Sequence, residues 1–230
     1  MRMARIILAA LLIVYTILPA AAFAKKSNDP QIDQWGYEDT GVYRAWDMST
    51  GSTDVVVAVI DNGFDSGHPD LRDNVWINTK EIAGNGKDDD KNGYVDDVQG
   101  WNFALEDFNG DGEVDEKESK GNNNPRPMVD GLTEEEKEGN VFSHGTVVAG
   151  IIGAVGNNEQ DGAGINWKVK LMNVKVLDNS GIGFLDNMPA AIRYAADNGA
   201  HVINISIVGG TQLDELDAAL KYAYDKGVFV

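Results

Sequence analysis

His144 stands in NVFSHGTVVAG, residues 140–150, after a serine and ahead of a run of small apolar residues. The chain has three histidines and no cysteine, so side chains able to exchange a proton near neutral pH are scarce. A histidine becomes an effective general base when a buried carboxylate fixes its tautomer and stabilises the imidazolium. Asp61 is placed to be that carboxylate: it follows the β-branched run DVVVAVI (54–60) and opens the turn DNG. Residue types alone leave a second reading open, in which His144 serves a helix end and Asp61 forms a turn.

A second group of residues suits a hard cation. DFNGDGEVDEKE, 107–118, fits an EF-hand loop, with Asp107, Asn109, Asp111, Gly112, Asp115 and Glu118 at positions 1, 3, 5, 6, 9 and 12. That spacing wraps alternate side chains around one ion, and the glycine permits the sharp turn. DDDKNGYVDDVQ, 88–99, is a poorer match: Asp88, Asp90, Asn92, Gly93 and Asp96 are in place, but Gln99 replaces the bidentate glutamate. Neither loop has flanking helices, so each is expected to stand alone. Without a cation the crowded carboxylates would repel. Calcium is therefore the expected cofactor, with a solvated acidic loop as the plain alternative.

These residues need a scaffold. DVVVAVI reads as a strand buried on both faces. From 77 to 140 the chain is rich in Asp, Glu, Asn and Gly without periodicity, and reads as an acidic insertion of loops. HGTVVAGIIGAV is helical in pattern, with Gly145, Ala149 and Gly150 allowing close packing. VKLMNVKVL (169–177) and HVINISIV read as strands, and VFV at the end opens another. PAAIRYAADNG is a helix between Pro189 and Gly199. TQLDELDAALKYAYDKG is a helix starting at a Thr211–Asp214 cap, with Leu213, Leu216, Leu220 and Tyr224 as its apolar face. The segment before the first strand, 25–54, reads as turn-rich with aromatic anchors at Trp35, Tyr37, Tyr43 and Trp46. Strand and helix in alternation imply an α/β fold, a parallel sheet with helices on both faces. Sites in such sheets form beyond the carboxyl ends of the strands, where Asp61 sits.

VVVAVIDNGFDSGHPDL resembles the segment around the catalytic aspartate of subtilisin-like serine proteases, and SHGTVVAGIIGA resembles the segment around their histidine. The resemblance continues through VKLMNVKVLDNSGIG, GAHVINIS and ALKYAYDKGVFV, nearly everything after residue 28. It implies that Asp61 orients His144, the general base, in a secreted endopeptidase acting on protein or peptide substrates. It also implies substrate-binding edges at Ser180 and Gly181 and at Ser206 and Gly209. Asp70 and Asn158 match side-chain ligands of the family's structural calcium, while His68 and His201 match positions without a catalytic role. The departures are Asn62, where the family has Ser or Thr, Val147, where it often has a second histidine, and one extra residue in SIVGG. The family's serine lies further along than Val230, so residues 25–230 are expected to be the N-terminal portion of a peptidase domain, inactive alone. A non-catalytic secreted calcium-binding or peptide-binding protein is the competing function.

The bulk properties agree with a secreted protein. Arg2 and Arg5, the apolar stretch 6–18 and the small residues Ala22 and Ala24 read as a signal peptide, residues 1–24, cleaved after Ala24. A membrane anchor is the alternative, since residues 6–24 could just span. A formal charge of −18 argues against nucleic acid and, once the leader is removed, against anionic membranes as partners. A monomer is expected. With no cysteine there is no disulfide framework, and bound calcium is the usual extracellular substitute.

Overall fold

A computed structural model describes residues 25–105, 120–127, 133, 143–209 and 213–230. The leader at 1–24 and the loop at 107–118 lie outside these residues. The described chain falls into two compact units, one of Lys25, Lys26 and residues 34–49, the other of residues 27–33 and 50–230.

In the first unit the segment expected to be turn-rich forms two short helices, α1 (Trp35–Thr40) and α2 (Val42–Met48). Gly41 joins them at φ +76°, a left-handed conformation that ends one helix and starts the next. Tyr37, Tyr43 and Trp46 meet edge to face with centroids 5.4 to 6.0 Å apart. Trp35 is 83% exposed and anchors nothing here, because it lies off that face.

The second unit is built on a four-stranded sheet: β1 (Gly51–Asp61), β2 (Gly100–Asn102), β3 (Lys168–Lys175) and β4 (Val202–Ile205), in the order β2-β3-β1-β4 with every pairing parallel. Its helices are α3 (His144–Gly153), α4 (Met188–Asp197) and α5 (Asp214–Asp225). Alternation along the strands divides the core. Val57 and Val59 of β1 and Val169 and Leu171 of β3 pack with Ala149 of α3 on one face. Ala58, Ile60, Met172 and Val174 pack with Ala191, Ile192 and Ala195 of α4 and Ala219 and Ala223 of α5 on the other. The sheet thus carries helices on both faces, as the strand and helix order implies.

Five local expectations change. Residues 100–102, inside the supposed all-loop insertion, form the edge strand β2; three residues are too few to show a period. The small residues of α3 that face the sheet are Gly145, Ala149 and Gly153, four apart, whereas Gly150 has open space beside it. The buried stripe of α5 is carried by Ala219 and Ala223, with Leu216 and Leu220 partly covered and Tyr224 exposed, because close approach to α4 selects small residues. That helix begins at Asp214 after Leu213, with no side-chain cap at Leu213, and Thr211 lies outside the described residues. The terminal VFV touches β4 through a single parallel bridge, Phe229 to Val202.

Candidate active site

β1 runs to Asp61, whose side chain is fully buried at the carboxyl edge of the sheet. α3 begins at His144, pointing its first turn at the same edge. The pair meets across 83 residues: His144 Nδ1 lies 2.9 Å from Asp61 Oδ1 and 3.0 Å from Oδ2. The His144 side chain is 50% exposed and that of Asp61 is 0% exposed. An ionised carboxylate only accepts hydrogen bonds, so the proton of a neutral imidazole facing both its oxygens is on Nδ1. Nε2 is then the basic nitrogen, free to take a proton from a group in the cleft and return it.

Local contacts hold both residues in place. The Asp61 carbonyl accepts from the Val176 and Leu177 N–H groups at 2.8 and 3.3 Å, extending the β1–β3 pairing past the strand end. Asn62 donates its backbone N–H to Asp61 Oδ1 at 2.7 Å, and its side-chain Oδ1 accepts from the Gly145 N–H at 2.8 Å. The amide that replaces the family's hydroxyl residue therefore caps the start of α3, whose own N-cap Ser143 makes no capping bond. Gly145 has no space for a side chain: a Cβ there would collide with the Gly63 carbonyl oxygen. Gly63 itself sits at φ +81°, and a Cβ on it would strike the Pro125 carbonyl oxygen. Beside it Arg126 pairs with Asp65, so residues 125–126 of the insertion lie against the turn that follows Asp61.

Asp61, Asn62, Ser143 and His144 form one wall of a cleft of about 510 Å³. Ser180, Gly181 and Ser206 line it as well, with Val147, Leu177, Ile207 and Val208 supplying apolar surface. Gly209 sits beside Leu185, outside that lining. The apolar liners are missed by a reading that looks for chemistry-bearing residues. Val147, one turn along α3 from His144, is 57% exposed, and helical spacing alone could have placed it here. His201 and His68 have backbone partners away from the cleft, Nδ1 accepting from the Val56 N–H at 3.1 Å and the Asp70 N–H at 3.2 Å respectively.

The Subtilase family model, Peptidase_S8, matches residues 52–230. This chain belongs to the subtilase family. It is 37% identical over 174 residues to Subtilisin-like protease 1 of Plasmodium vivax, covering 74% of this chain and 23% of that protein. It is 33% identical over 186 residues to Thermitase of Thermoactinomyces vulgaris, covering 80% of this chain and 48% of that protein. Among solved structures, a protease of Pseudoalteromonas arctica PAMC 21717 superposes with a TM-score of 0.61 at 27% identity, over 89% of this chain and 57% of the other. The subtilase thus spans from about a quarter to just over half the length of these relatives.

In the described acidic segment, residues 88–99, the carboxylates are arranged differently from the EF-hand pattern. Of Asp88, Asp90, Asn92 and Asp96, only Asp90 joins a carboxylate cluster, with Glu81 and Asp97, whose oxygens lie within 4.8 Å of one another. Asp88 turns instead onto the Asn92 and Gly93 N–H groups at 3.0 and 2.8 Å, and Asp96 onto those of Asn85 and Gly86 at 3.1 and 2.8 Å. Gln99 accepts from the Ser66 hydroxyl at 2.8 Å. Burial raises the Asp97 carboxyl above the usual range against hydrogen bonds from Tyr194, Asn92 and Asn78 that lower it, and the charge of Asp90 adds to the rise. Asp70 and Asn158 are brought together, the amide nitrogen donating to Asp70 Oδ1 at 2.8 Å. Asp29, missed in the sequence, closes the same loop by accepting from the N–H groups of Asn157, Asn158 and Glu159 at 2.7 to 3.0 Å. Asp107, Asn109, Asp111, Asp115 and Glu118 lie outside the described residues.

Proposed function

We propose that this subtilase is the N-terminal portion of the catalytic domain of a secreted serine endopeptidase, with His144 as general base and Asp61 as the carboxylate that orients it. The observation that carries the reading is the contact of a half-exposed imidazole, through Nδ1, with a fully buried carboxylate beside a cleft. Peptide-bond hydrolysis would proceed by serine attack on the carbonyl, His144 Nε2 taking the hydroxyl proton and giving it to the leaving amine. Ser180, Gly181 and Ser206, lining the cleft, suit a substrate backbone laid along its edges. Gly209 belongs with them by resemblance only.

The attacking serine is assigned to sequence following Val230. Ser143 is the immediate neighbour of His144, Ser206 Oγ accepts from Asn204 Nδ2 at 2.9 Å, and Ser180 is exposed in a turn organised by Asp178. The test is a fluorophosphonate probe, which labels activated serines. The 230-residue chain is expected to remain unlabelled and to hydrolyse no peptide, whereas the product of a reading frame extended past Val230 is labelled. Stoichiometric labelling of a serine within the chain would overturn the assignment. The apolar leader is the support for secretion; among the described residues no helix is long and apolar enough to cross a membrane.

Calcium fits the same reading. Glu81, Asp90 and Asp97 offer hard oxygen donors at a common point, where a divalent ion would neutralise carboxylates that otherwise repel. At Asp70 and Asn158 an ion would require the amide turned over, so that oxygen rather than nitrogen faces it. Bound there, calcium supplies cross-links between loops and no chemistry to the peptide bond.

A further inference from the structure

Lys175, the last residue of β3, is fully buried. It is the register partner of Asp61, and alternation places its side chain on the α3 face of the sheet with Asp61 and Asn173. Removing an ammonium from water costs several kcal/mol unless good partners replace the hydration, and an apolar side chain of similar volume often serves stability as well or better. Core filling is therefore a poor account of a lysine at this point. Its Nζ donates to the Asn62 carbonyl oxygen at 3.0 Å. That peptide belongs to the residue whose N–H holds Asp61 and whose side chain holds the start of α3. Two residues earlier on the same strand, Asn173 grips the next part of the turn, accepting from the Phe64 N–H at 3.1 Å and donating to the Phe64 carbonyl at 2.8 Å.

We infer that Lys175 is a positioning residue for the Asp61–His144 pair, acting through Asn62. The proposal rests on the proposed role of that pair. β3 reaches under the turn at 62–64 with two buried polar side chains and fixes its backbone from below. Asn62, held at its carbonyl, can place its N–H on Asp61 and its Oδ1 on Gly145 together. Without the Nζ contact the Asn62 carbonyl loses a buried donor, and the residue that ties Asp61 to the start of α3 is held less firmly.

The test uses the 230-residue chain and Lys175→Met, which keeps a long side chain and removes the donor and the charge. The readout is the proton NMR signal of His144 Nδ1–H, assigned by its loss in His144→Ala. Far-UV circular dichroism and thermal melting are measured alongside. The expected result is a Met variant that melts no lower than the parent chain yet has lost or strongly broadened this signal, with Lys175→Arg retaining it. A folded Met variant with an unchanged signal overturns the inference. So does a Met variant that fails to fold, since it assigns Lys175 to stability instead. The readout needs no hydrolysis, so failure of the protease reading leaves it standing. In the extended, active protein the same substitution should lower kcat about 10²-fold with KM little changed, the scale expected of a small misplacement of reacting groups.

Discussion

Asn62 Oδ1 accepts a 2.8 Å hydrogen bond from the Gly145 N–H, one position on from Asp61 and from His144. The two contacts are consecutive rungs between the end of β1 and the beginning of α3, both across 83 residues. A single hydrogen bond would leave the helix free to swivel about it. Two, one residue apart, fix the direction of approach as well as the distance.

Breaking the second rung should be felt at the first. Asn62→Ala leaves the Gly145 N–H buried without its acceptor, a loss of roughly 1–3 kcal/mol. Urea unfolding of the chain should register that loss. Gly145→Ala should do more harm to hydrolysis than to folding, because its Cβ pushes the helix start off the Gly63 carbonyl and takes His144 with it. Unchanged turnover of an active Gly145→Ala protein would show that the close approach is irrelevant to the site.

Substitutions in the pair itself should follow the logic of a base and its orienting group. In the extended protein His144→Ala is expected to abolish turnover. Asp61→Asn should lower kcat by about 10⁴ while the protein remains folded, since an amide keeps the shape but favours the wrong imidazole tautomer. Steady-state kinetics with a peptide substrate checks both, and near-normal rates in either variant would mean that the pair is misassigned.

Removing calcium should lower the melting temperature. An ion that binds only the folded state stabilises it by about 2.7 kcal/mol at a hundredfold excess over its dissociation constant. Asp90 lies in the carboxylate cluster and Asp88 caps its own loop, so Asp90→Asn should reduce the calcium-dependent rise in melting temperature more than Asp88→Asn does. Measuring each variant with calcium and with chelator separates ion binding from the loop hydrogen bonds that both carboxylates make.

A pH effect is expected where α4 meets α5. Burial alone would raise the Asp197 carboxyl, but hydrogen bonds from Lys226 and Tyr222 outweigh it and hold the group below the usual carboxylate range. A carboxyl lowered on folding contributes stability above its unfolded pKa and loses it as pH falls through the folded value. Lys226→Met should therefore melt below the parent chain at neutral pH. The difference should close in acid, as Asp197 is protonated, and thermal melts at neutral and acid pH would show it.

The alternation of strand and helix was plain in the sequence because buried strands read as β-branched runs and helices as spaced apolar residues. The Asp61–His144 pair was legible through the resemblance of its flanking segments to those of subtilisin-like proteases; residue types alone left a turn and a helix end as the alternative. Other features were hidden. β2 is too short to carry a period. Glu81 and Asp97 fall outside the EF-hand spacing, which describes one continuous wrap, whereas here carboxylates from the two ends of a folded loop converge. Lys175 carries no signal of its role in the sequence: its burial and its register against Asp61 emerge only in the fold.

The separation of Asp61 from His144 also bears on the order in which the chain acquires structure. The entropic cost of closing a flexible loop rises with its length, by about 0.6 kcal/mol for each doubling, and contacts between distant segments form slowly compared with local ones. The first rung closes a loop of 83 residues that contains the acidic insertion, and the Lys175 contact with Asn62 spans 113. No stretch of a few dozen residues holds both members of the Asp61–His144 pair, so their contact waits on a chain folded over at least that span. Proton-transfer competence arrives with tertiary assembly, and a cation that pins the insertion would shorten the loop that has to close.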